Sequence, residues 1–386
     1  MNYNVKKNII GIDAVNIRAG GGASHLIKLV SNADPKIHKF DKIIIWGGSN
    51  LIGQLPESPW LIKINHPVFE KSILKKLLWQ YYQLGKQARK LGCGVLFSPG
   101  GTNIAEFEPT VTMSQNMLPF DIKEVLRFNL TSILRFLLLR VLQIHSFKRS
   151  DGVIFLTLYA KNRIERVIKK TIKNSRIIPH GISSDYHHKP KKQHSIEDYN
   201  LDNPFRIIYI SSVSPFKHQW NVAEAISRLR KDGYPITIDF IGPSHKNSEK
   251  RLMDLIRKED PNGNFLNYSG LLTQKELKSV YLSSDLIVYA STCENLPIDL
   301  LEGMSSGLPI ISSSKSPMPE VLNDAGTYFN SDDIFSIMSA IKNSLNSVSD
   351  RVKKSKISYN LSKNYSLKEN YKNTFHFLIE MISKNS

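Results

Sequence analysis

Short apolar runs alternate with amphipathic segments through most of this chain, and one polar stretch divides the alternation into two series. The first series contains candidate buried strands at residues 8–14, 42–46, 61–65, 95–98, 110–114, 152–156 and 176–179. Helical segments lie between several of these runs. Such an alternation predicts a parallel sheet covered by helices.

The second series follows the polar stretch 187–204, whose composition is typical of a linker. It predicts strands at 206–212, 236–241, 286–290 and 309–312, and helices at 219–230, 249–257, 274–284, 297–306, 319–322 and 332–345. Thr273 and Glu276 have the spacing of a capping box at one helix start. We therefore predict an α/β protein of two doubly wound domains, 1–188 and 189–362, with ligand loops at the carboxyl ends of the strands.

The net charge of +18 is concentrated in the first half of the chain. Residues 1–185 hold 27 Lys and Arg against 12 Asp and Glu, a difference of +15, while residues 186–386 hold 25 against 22, a difference of +3. This asymmetry predicts an anionic partner for the first half, either nucleic acid or an acidic membrane face.

Two basic segments could carry that contact. Residues 71–91 form an amphipathic pattern with aromatic side chains, which suits a membrane interface, but the same apolar stripe could pack inside its own domain. Residues 126–148 are the second candidate, and their apolar side is broad enough to be largely core.

The cysteines and the apolar runs indicate a cytoplasmic protein. Cys93 and Cys293 lie in different halves and predict neither a disulfide framework nor a zinc motif, so a reducing compartment fits best. Residues 1–22 contain a first buried strand and no secretory leader. The longest apolar run, 133–144, is interrupted by two arginines and is predicted to be too short to cross a bilayer.

The strongest chemical signal lies in residues 291–307, where a strand leads into a loop and a helix. Pro297 stands where the first helical residue is expected, so the positive end of the helix would face a ligand crevice and favour a phosphate. Glu294 lies just before this helix and Glu302 lies within it, and two carboxylates here suit sugar or ribose hydroxyls. The alternative is an ordinary surface helix with an acidic residue before it.

The loop after the strand at 206–212 contains Lys217, again directly before a helix. A lysine at this place could neutralise a diphosphate leaving group, although a solvated loop lysine is the commoner case. Nothing offers a D-x-D pair at a strand end, so we expect no metal ion.

Three loops of the first series hold weaker signals. The glycines at 20–22 would let backbone approach a ligand, but their spacing does not fit a dinucleotide motif, so no nicotinamide cofactor is expected. Polar residues at 98–103 and 114–121 follow two strands and could line an acceptor pocket or form turns. We favour the pocket for 114–121.

Several of these motifs together resemble a known family. Residues 281–329, with Glu294-x7-Glu302, Gly307-Leu-Pro-Ile and Pro319-Glu-Val-Leu-Asn-Asp-Ala-Gly, are similar to the donor half of family-four retaining glycosyltransferases of the GT-B fold. Residues 365–382 resemble that family's helix that crosses back to the first domain, and we assign 363–386 to it. The sequences Cys-Glu-Asn-Leu-Pro and Gln-Asn-Met-Leu-Pro-Phe resemble bacterial enzymes of O-antigen and surface-polysaccharide assembly.

The resemblance implies two Rossmann-like domains facing across a cleft, with roles for particular residues. Lys217 would hold the donor diphosphate, Glu302 the ribose, and Glu294 the hydroxyls of the transferred sugar, which makes Lys217 and Glu294 the catalytic candidates. The remaining donor-side positions are Asn295, Leu296, Ser212 and Gly270, and the first-domain, acceptor-side positions are Gly21, Gly22, Gln115 and Asn116.

This chain departs from the family pattern at three of these places. Ser212 stands where the family usually has arginine, which leaves Lys217 with more charge to neutralise. Asn295-Leu296-Pro297 replaces the usual Gly-Phe-Gly, so one amide donor is missing. Gln115 corresponds most nearly to a first-domain histidine and cannot act as a base.

The function implied is a retaining, metal-independent hexosyltransferase without a cofactor. It would use a nucleoside diphosphate sugar and a lipid-linked saccharide, and its basic first domain would contact the anionic inner leaflet of the cytoplasmic membrane, with no nucleic acid partner. Two alternatives remain open: a sugar-nucleotide epimerase of the same fold, and a basic protein that binds nucleic acid or membrane.

Overall fold

The computed structural model describes residues 8–17, 20–244 and 246–384, and the chain divides into two compact units. Unit 1 contains the described residues up to Ile122, then Leu130–Gly181, and the described residues from Leu367 onward. Unit 2 contains Lys123–Asn129 and Ile182–Ser366. Residues 1–7, at the start of the predicted first domain, and residues 385–386, at the end of the predicted last segment, lie outside the described residues. The chain therefore passes between the two units at 122/123, 129/130, 181/182 and 366/367.

Unit 1 is built on a parallel sheet. Its strands within the described residues are β1 (Ile9–Ala14), β2 (Lys42–Gly47), β3 (Leu61–Ile64), β4 (Val95–Ser98), β5 (Thr110–Met113), β6 (Gly152–Phe155) and β7 (Ser175–Ile177), in the spatial order β3-β2-β1-β4-β5-β6-β7. Strands β1, β4, β5 and β6 are buried at every position, as expected for inner strands covered on both faces. All seven runs predicted as strands in this half are confirmed, with boundaries that differ by at most two residues.

Unit 2 contains a second parallel sheet. Its strands within the described residues are β8 (Phe205–Ile210), β9 (Ile236–Ile241), β10 (Leu266–Gly270), β11 (Leu286–Tyr289), β12 (Ile310–Ser313) and β13 (Gly326–Phe329), in the order β10-β9-β8-β11-β12-β13. The sequence did not predict β10 and β13. Both lie at an edge of the sheet and are only partly buried, so neither shows a continuous apolar run.

Helices connect the strands. In unit 1 they are α1 (Gly21–Ser31), α2 (Pro35–His38), α3 (Ser49–Ile52), α4 (Ile73–Trp79), α5 (Gly85–Lys90), α6 (Ile122–Val125, which runs on into unit 2), α7 (Leu130–Arg149) and α8 (Leu158–Ile168). In unit 2 they are α9 (Gln219–Lys231), α10 (Lys246–Glu259), α11 (Gln274–Ser283), α12 (Ile298–Ser305), α13 (Met318–Leu322), α14 (Ile334–Asn346) and α15 (Val348–Ser362), and α16 (Leu367–Lys384) belongs to unit 1. The predicted capping box at Thr273 and Glu276 is confirmed.

Each sheet has one point where the strand order reverses. In unit 1 the reversal falls between β1 and β4, and in unit 2 it falls between β8 and β11. The connections after these neighbouring strands leave in opposite directions, which opens a crevice at their carboxyl ends. Lys217 follows β8 and Glu294 follows β11, so both lie at the reversal point of the second sheet.

The predicted apolar stripe of residues 71–91 is not continuous. A π-helical turn, Gln80–Leu84, separates α4 from α5, and its wider turn rotates the face that follows. Leu84 and Ala88 are buried in unit 1, whereas Leu74 and Leu78 are exposed. The second half of the stripe therefore packs inside unit 1, whereas the first half is exposed, and its contact with a membrane stays a prediction.

The expectation that residues 126–148 pack largely in the core is wrong. α7 is mostly exposed, and only 17% of its most apolar window is buried. The run predicted to be too short for a bilayer lies within this helix, which by length and composition alone could cross one. A single such helix is weak support for a membrane span, because core helices of soluble proteins meet the same criterion.

Candidate active site

Lys217 is held in a tight connection between β8 and α9. The turn Pro215–Lys217 is a 3₁₀-helix, and His218 takes a left-handed conformation with φ of 55° before α9 begins. The Tyr209 hydroxyl donates to the Lys217 carbonyl oxygen at 2.6 Å, which anchors the turn to β8. Lys217 is only 5% exposed, so it is not a solvated loop lysine.

Lys217 and Glu294 form a buried ion pair. The Lys217 Nζ donates to Glu294 Oε1, and their side chains are 7% and 14% exposed. The Tyr289 hydroxyl lies 3.0 Å from Lys217 Nζ and donates to Glu294 Oε1 at 3.0 Å, and the Ser291 hydroxyl donates to the same oxygen at 2.6 Å. A charged pair removed from water is stable only with such additional hydrogen bonds.

Two members of this cluster were not predicted from the sequence. Tyr289 is the last residue of β11, and burial followed by the nearby Glu294 carboxylate raises its pKa well above the usual value. Asp299 lies in the first turn of α12, where burial raises the pKa of its carboxyl, Lys217 lowers it and Glu294 raises it. The sequence signals that could have indicated them are the position of Tyr289 at a strand end and of Asp299 at a helix start. Tyr289, however, ends an apolar run and so resembles a core residue.

The helix after Glu294 begins one residue later than predicted. Pro297 is the N-cap of α12, with ψ of 115°, and its carbonyl accepts the first helical hydrogen bond from Leu301 N–H at 3.2 Å. The extended ψ excludes Pro297 from the first helical position, although its fixed φ suits either place. Asn295 and Leu296 are both buried directly before this helix start.

Glu302 lies one turn after Asp299 on α12, so the two carboxylates share a helix face. Burial, and then the Glu302 carboxylate, raises the pKa of Tyr186 to about 12 and that of Tyr281 well above its usual value. The rings of these tyrosines meet edge to face, with centroids 6.3 Å apart. Glu302 therefore lies beside a tyrosine pair on the side of α12 that carries Asp299.

The other two predicted donor-side positions, Ser212 and Gly270, have surroundings that differ from those of Glu294 and Glu302. Ser212 follows β8, and its carbonyl accepts from Gln219 Nε2 at 2.9 Å, so this residue helps to close the Lys217 loop. Gly270 ends β10, the edge strand, which is separated from β8 by β9. Its φ of 66° requires glycine, and a side chain there would meet open space.

The first-domain positions form a separate group in unit 1. Gly20, with φ of 81°, allows the turn into α1, and a β-carbon on Gly22 would lie 2.7 Å from Gln115 Oε1. Gly22 and Gln115 are therefore in contact, whereas a β-carbon on Gly21 would meet nothing within 4 Å. The Asn116 side chain accepts from Leu118 N–H at 3.0 Å, which is turn chemistry.

The described part of the chain contains no group of three His, Cys, Asp or Glu side chains that could hold a metal ion.

Residues 191–361 match the family model for glycosyl transferases group 1. The carboxy-terminal domain of this chain is a group 1 glycosyltransferase domain. It contains Lys217, Glu294 and Glu302, the residues on which the family resemblance depended. The O-antigen chain mannosyltransferase B of Escherichia coli is 26% identical over 208 residues, which are 53% of this chain and 51% of that protein. The chain thus spans about half the length of this relative.

Two solved structures show that the likeness of fold extends beyond the group 1 domain. HepE from Anabaena in complex with UDP has a TM-score of 0.67 at 12% identity, with 98% of this chain and 99% of that chain covered. WaaG, a glycosyltransferase involved in lipopolysaccharide biosynthesis, has a TM-score of 0.69 at 13% identity, with 95% and 98% covered. The predicted GT-B class of two parallel-sheet α/β domains is confirmed.

Proposed function

We propose that this protein is a retaining, metal-independent hexosyltransferase that takes its sugar from a nucleoside diphosphate donor. The observation that carries the proposal is the buried Lys217–Glu294 pair at the reversal point of the group 1 domain's sheet. A cation and a carboxylate held together there match two polar parts of a sugar nucleotide, because the cation suits its anionic diphosphate and the carboxylate accepts hydrogen bonds from its hydroxyl groups.

In this proposal the donor replaces the internal ion pair. The Lys217 ammonium moves onto the diphosphate and stabilises the charge that develops on the leaving phosphate, while Glu294 accepts hydrogen bonds from sugar hydroxyls. Tyr289 and Ser291, which already donate to Glu294, keep this carboxylate in place. The amino-terminal end of α12, with the amides of Asn295 and Leu296, adds positive potential, and Glu302 holds the ribose. The leaving phosphate would guide the acceptor hydroxyl to the same face, so no protein nucleophile is needed.

We assign the acceptor to unit 1 and the donor to unit 2. The contact of Gly22 with Gln115 leaves a glycine-lined turn at the start of α1, where Gly21 is open and Asn116 is exposed. The relationship to an O-antigen chain mannosyltransferase supports a lipid-linked saccharide acceptor and a role in bacterial O-antigen or surface-polysaccharide assembly.

The outer surface of unit 1 supports attachment to a membrane from the cytoplasmic side. Two neighbouring segments, α4 with its π-helical turn and α7, expose the large apolar side chains of Ile73, Leu74, Leu78, Tyr81, Tyr82, Leu130, Leu134, Leu137, Leu138 and Val141. We name this set the apolar face. The patch lies in the half of the chain that carries most of the excess charge, since residues 1–185 hold 27 basic and 12 acidic residues, a difference of +15. Such a patch fits an anionic lipid surface.

The packing of α7 favours a helix that lies on the membrane. Its last turns are tied into unit 1, because Ser146 Oγ accepts from Asn103 N–H at 2.8 Å and Gln143 and Phe147 are buried. A helix fixed to its own domain in this way cannot cross a bilayer without unfolding the domain.

Negative charge introduced on the apolar face is expected to weaken membrane binding. Leu78→Glu with Leu134→Glu should lower co-sedimentation with phosphatidylglycerol vesicles by about tenfold or more, because two apolar contacts become repulsive charges. Raising the salt from about 0.1 M to about 0.5 M should weaken wild-type binding as well. Leu271→Glu is the control, since Leu271 is 77% exposed but lies in unit 2. An equal loss of vesicle binding for the control and the double variant would contradict the assignment of the apolar face to membrane contact.

The donor is tested by thermal stability and by product analysis. One of the UDP, GDP or ADP sugars should raise the melting temperature, since a ligand that binds only the folded state stabilises it by mass action. NMR of the product formed with that donor should then show the donor's anomeric configuration. Inversion of the anomeric configuration would contradict the retaining mechanism. Formation of an isomerised donor in the absence of acceptor would identify an epimerase.

A further inference from the structure

A short segment encoded in the first half of the chain packs with the group 1 domain. Residues 123–129 connect Ile122 to Leu130, which both belong to unit 1, but the segment itself belongs to unit 2. It lies outside the match to the family model, which covers residues 191–361. We name residues 123–129 the strap.

Phe128 of the strap lies beside the residue that precedes Lys217. The rings of Phe128 and Phe216 have centroids 6.3 Å apart and are tilted by 39°. Lys217 Nζ lies 5.4 Å from the centroid of the Phe216 ring, which is within the distance of a cation–π contact. The Phe216 backbone is fixed separately, because its carbonyl oxygen accepts from Thr292 N–H at 2.9 Å. Phe128 therefore borders the ring on which the lysine side chain rests.

Arg127 of the strap lies near the residue that follows Lys217. Its Nη2 donates to Asp332 Oδ1 at 2.7 Å, and its Nε lies 2.8 Å from Glu124 Oε2, so it bridges two carboxylates. The same Asp332 oxygen lies 3.9 Å from His218 Nδ1. Burial, and then the Arg127 cation, lowers the pKa of His218 to about 4, so this ring is uncharged at neutral pH. Arg127 therefore supplies Asp332 with a charged partner beside His218.

The strained backbone of His218 depends on such support. Its φ of 55° lies in the left-handed region, which residues other than glycine adopt at an energetic cost. A conformation of this kind persists only where the surroundings over-determine it. Thr292 Oγ1 lies 3.2 Å from His218 Nε2, and Asn221 Nδ2 lies 3.3 Å from His218 Nδ1, so both ring nitrogens have a neighbour in addition to Asp332. Because His218 directly follows Lys217, a change in its backbone would move the lysine.

We propose that the strap positions Lys217 for the donor diphosphate, with Arg127 and Phe128 as positioning residues on either side of the lysine turn. The inference rests on the proposed transferase function and adds to the donor site a part that lies outside the family match. In the proposed reaction the ammonium moves from Glu294 to the diphosphate, so the backbone of the turn is the part that must stay fixed. A charged group stabilises a developing charge best when its position is set before the reaction.

The gain in affinity from a nucleoside monophosphate to its diphosphate tests this role without requiring transfer. UMP with UDP, GMP with GDP and AMP with ADP are the probes, and the pair that binds wild-type protein in calorimetry is used for each variant. Arg127→Met with Phe128→Ala should weaken the diphosphate about tenfold and change the monophosphate by less than about twofold. The reason is that the comparison isolates the added phosphate, whose charge Lys217 is proposed to meet. Arg127→Lys keeps the cation and should retain most of the gain.

Arg228→Met with Phe335→Ala is the matched control and should bind both probes normally. Arg228 Nη2 lies 2.6 Å from Glu224 Oε1, and its guanidinium lies 5.1 Å from the Phe335 ring centroid, in the same unit. Its side chain is 38% exposed, against 35% for Arg127. Ion pairs this exposed contribute little to overall stability, so the strap variant and the control should have similar melting temperatures without nucleotide.

Two results with the strap variant would overturn the proposal. One is an unchanged gain in affinity from monophosphate to diphosphate. The other is an equal loss for both probes, which would indicate a general loss of the domain's structure. Wild-type protein that binds none of these nucleotides would remove the transferase function together with this inference, whereas normal wild-type binding with an unaltered strap variant would remove the positioning role alone.

Discussion

Lys217→Met is expected to lower the rate of sugar transfer by about 100-fold or more, equivalent to about 2.7 kcal/mol in the activation barrier. The arginine that the family usually carries near this loop is Ser212 here, so Lys217 supplies a larger share of the positive charge beside the diphosphate. Methionine keeps most of the length of the side chain and removes the ammonium group, with its charge and its hydrogen-bond donors. The rate is measured as nucleoside diphosphate release from the donor that stabilises the protein most.

Two further variants separate chemistry from folding. Lys191→Met makes the same change at an ion-paired lysine elsewhere in the domain, where Lys191 Nζ lies 3.0 Å from Asp285 Oδ1, and it should keep nearly normal transfer. Lys217→Met leaves the Glu294 carboxylate without its cation and is expected to destabilise the fold, whereas Lys217→Met with Glu294→Gln should recover stability and stay inactive. Near-normal transfer by either Lys217 variant would remove the site assignment.

Arg351→Met is expected to reduce the free energy of unfolding of the group 1 domain by about 3 kcal/mol or more. Arg351 is 1% exposed on α15, and its guanidinium donates to the carbonyls of Ser344 and Leu345, the last turn of α14. It also donates to Gln193 Oε1 and the His194 carbonyl, which fixes the linker before β8. Methionine fills part of the space but leaves these buried acceptors without a donor.

Urea unfolding followed by circular dichroism measures this loss. Lys353→Met is the control, because Lys353 is exposed two residues further along α15 and should change stability by less than about 0.5 kcal/mol. Equal midpoints for the two variants would show that the Arg351 hydrogen bonds contribute little.

The inner strands could be predicted because a buried parallel strand is apolar along its whole length. Strands β1 and β11 are examples, and their boundaries fall within a residue or two of the predicted ones. Edge strands carry no such signal, so β13, with two half-buried residues, was missed. The π-helical turn at Gln80 was not predictable either, since it adds a residue to a helical turn without any marker residue.

The sequence predicted the residues of the candidate site as separate contacts to a ligand, and not as a hydrogen-bonded network. Strand ends and a helix start indicated Lys217 and Glu294, but the sequence could not show that they pair with each other. Tyr289 was missed for a related reason. It is buried at a strand end, and its role depends on a partner distant in sequence, Lys217.

Unit 1 can finish folding only after α16, which belongs to it, has been synthesised. It packs within unit 1, where Ile382 lies against Gly94 and Phe377 against Gly152, and Phe375 contacts Phe40 with ring centroids 5.4 Å apart. These residues leave the ribosome after the whole of the group 1 domain. The domain encoded second is therefore able to fold first, and the domain encoded first has part of its core uncovered until α16 has left the ribosome.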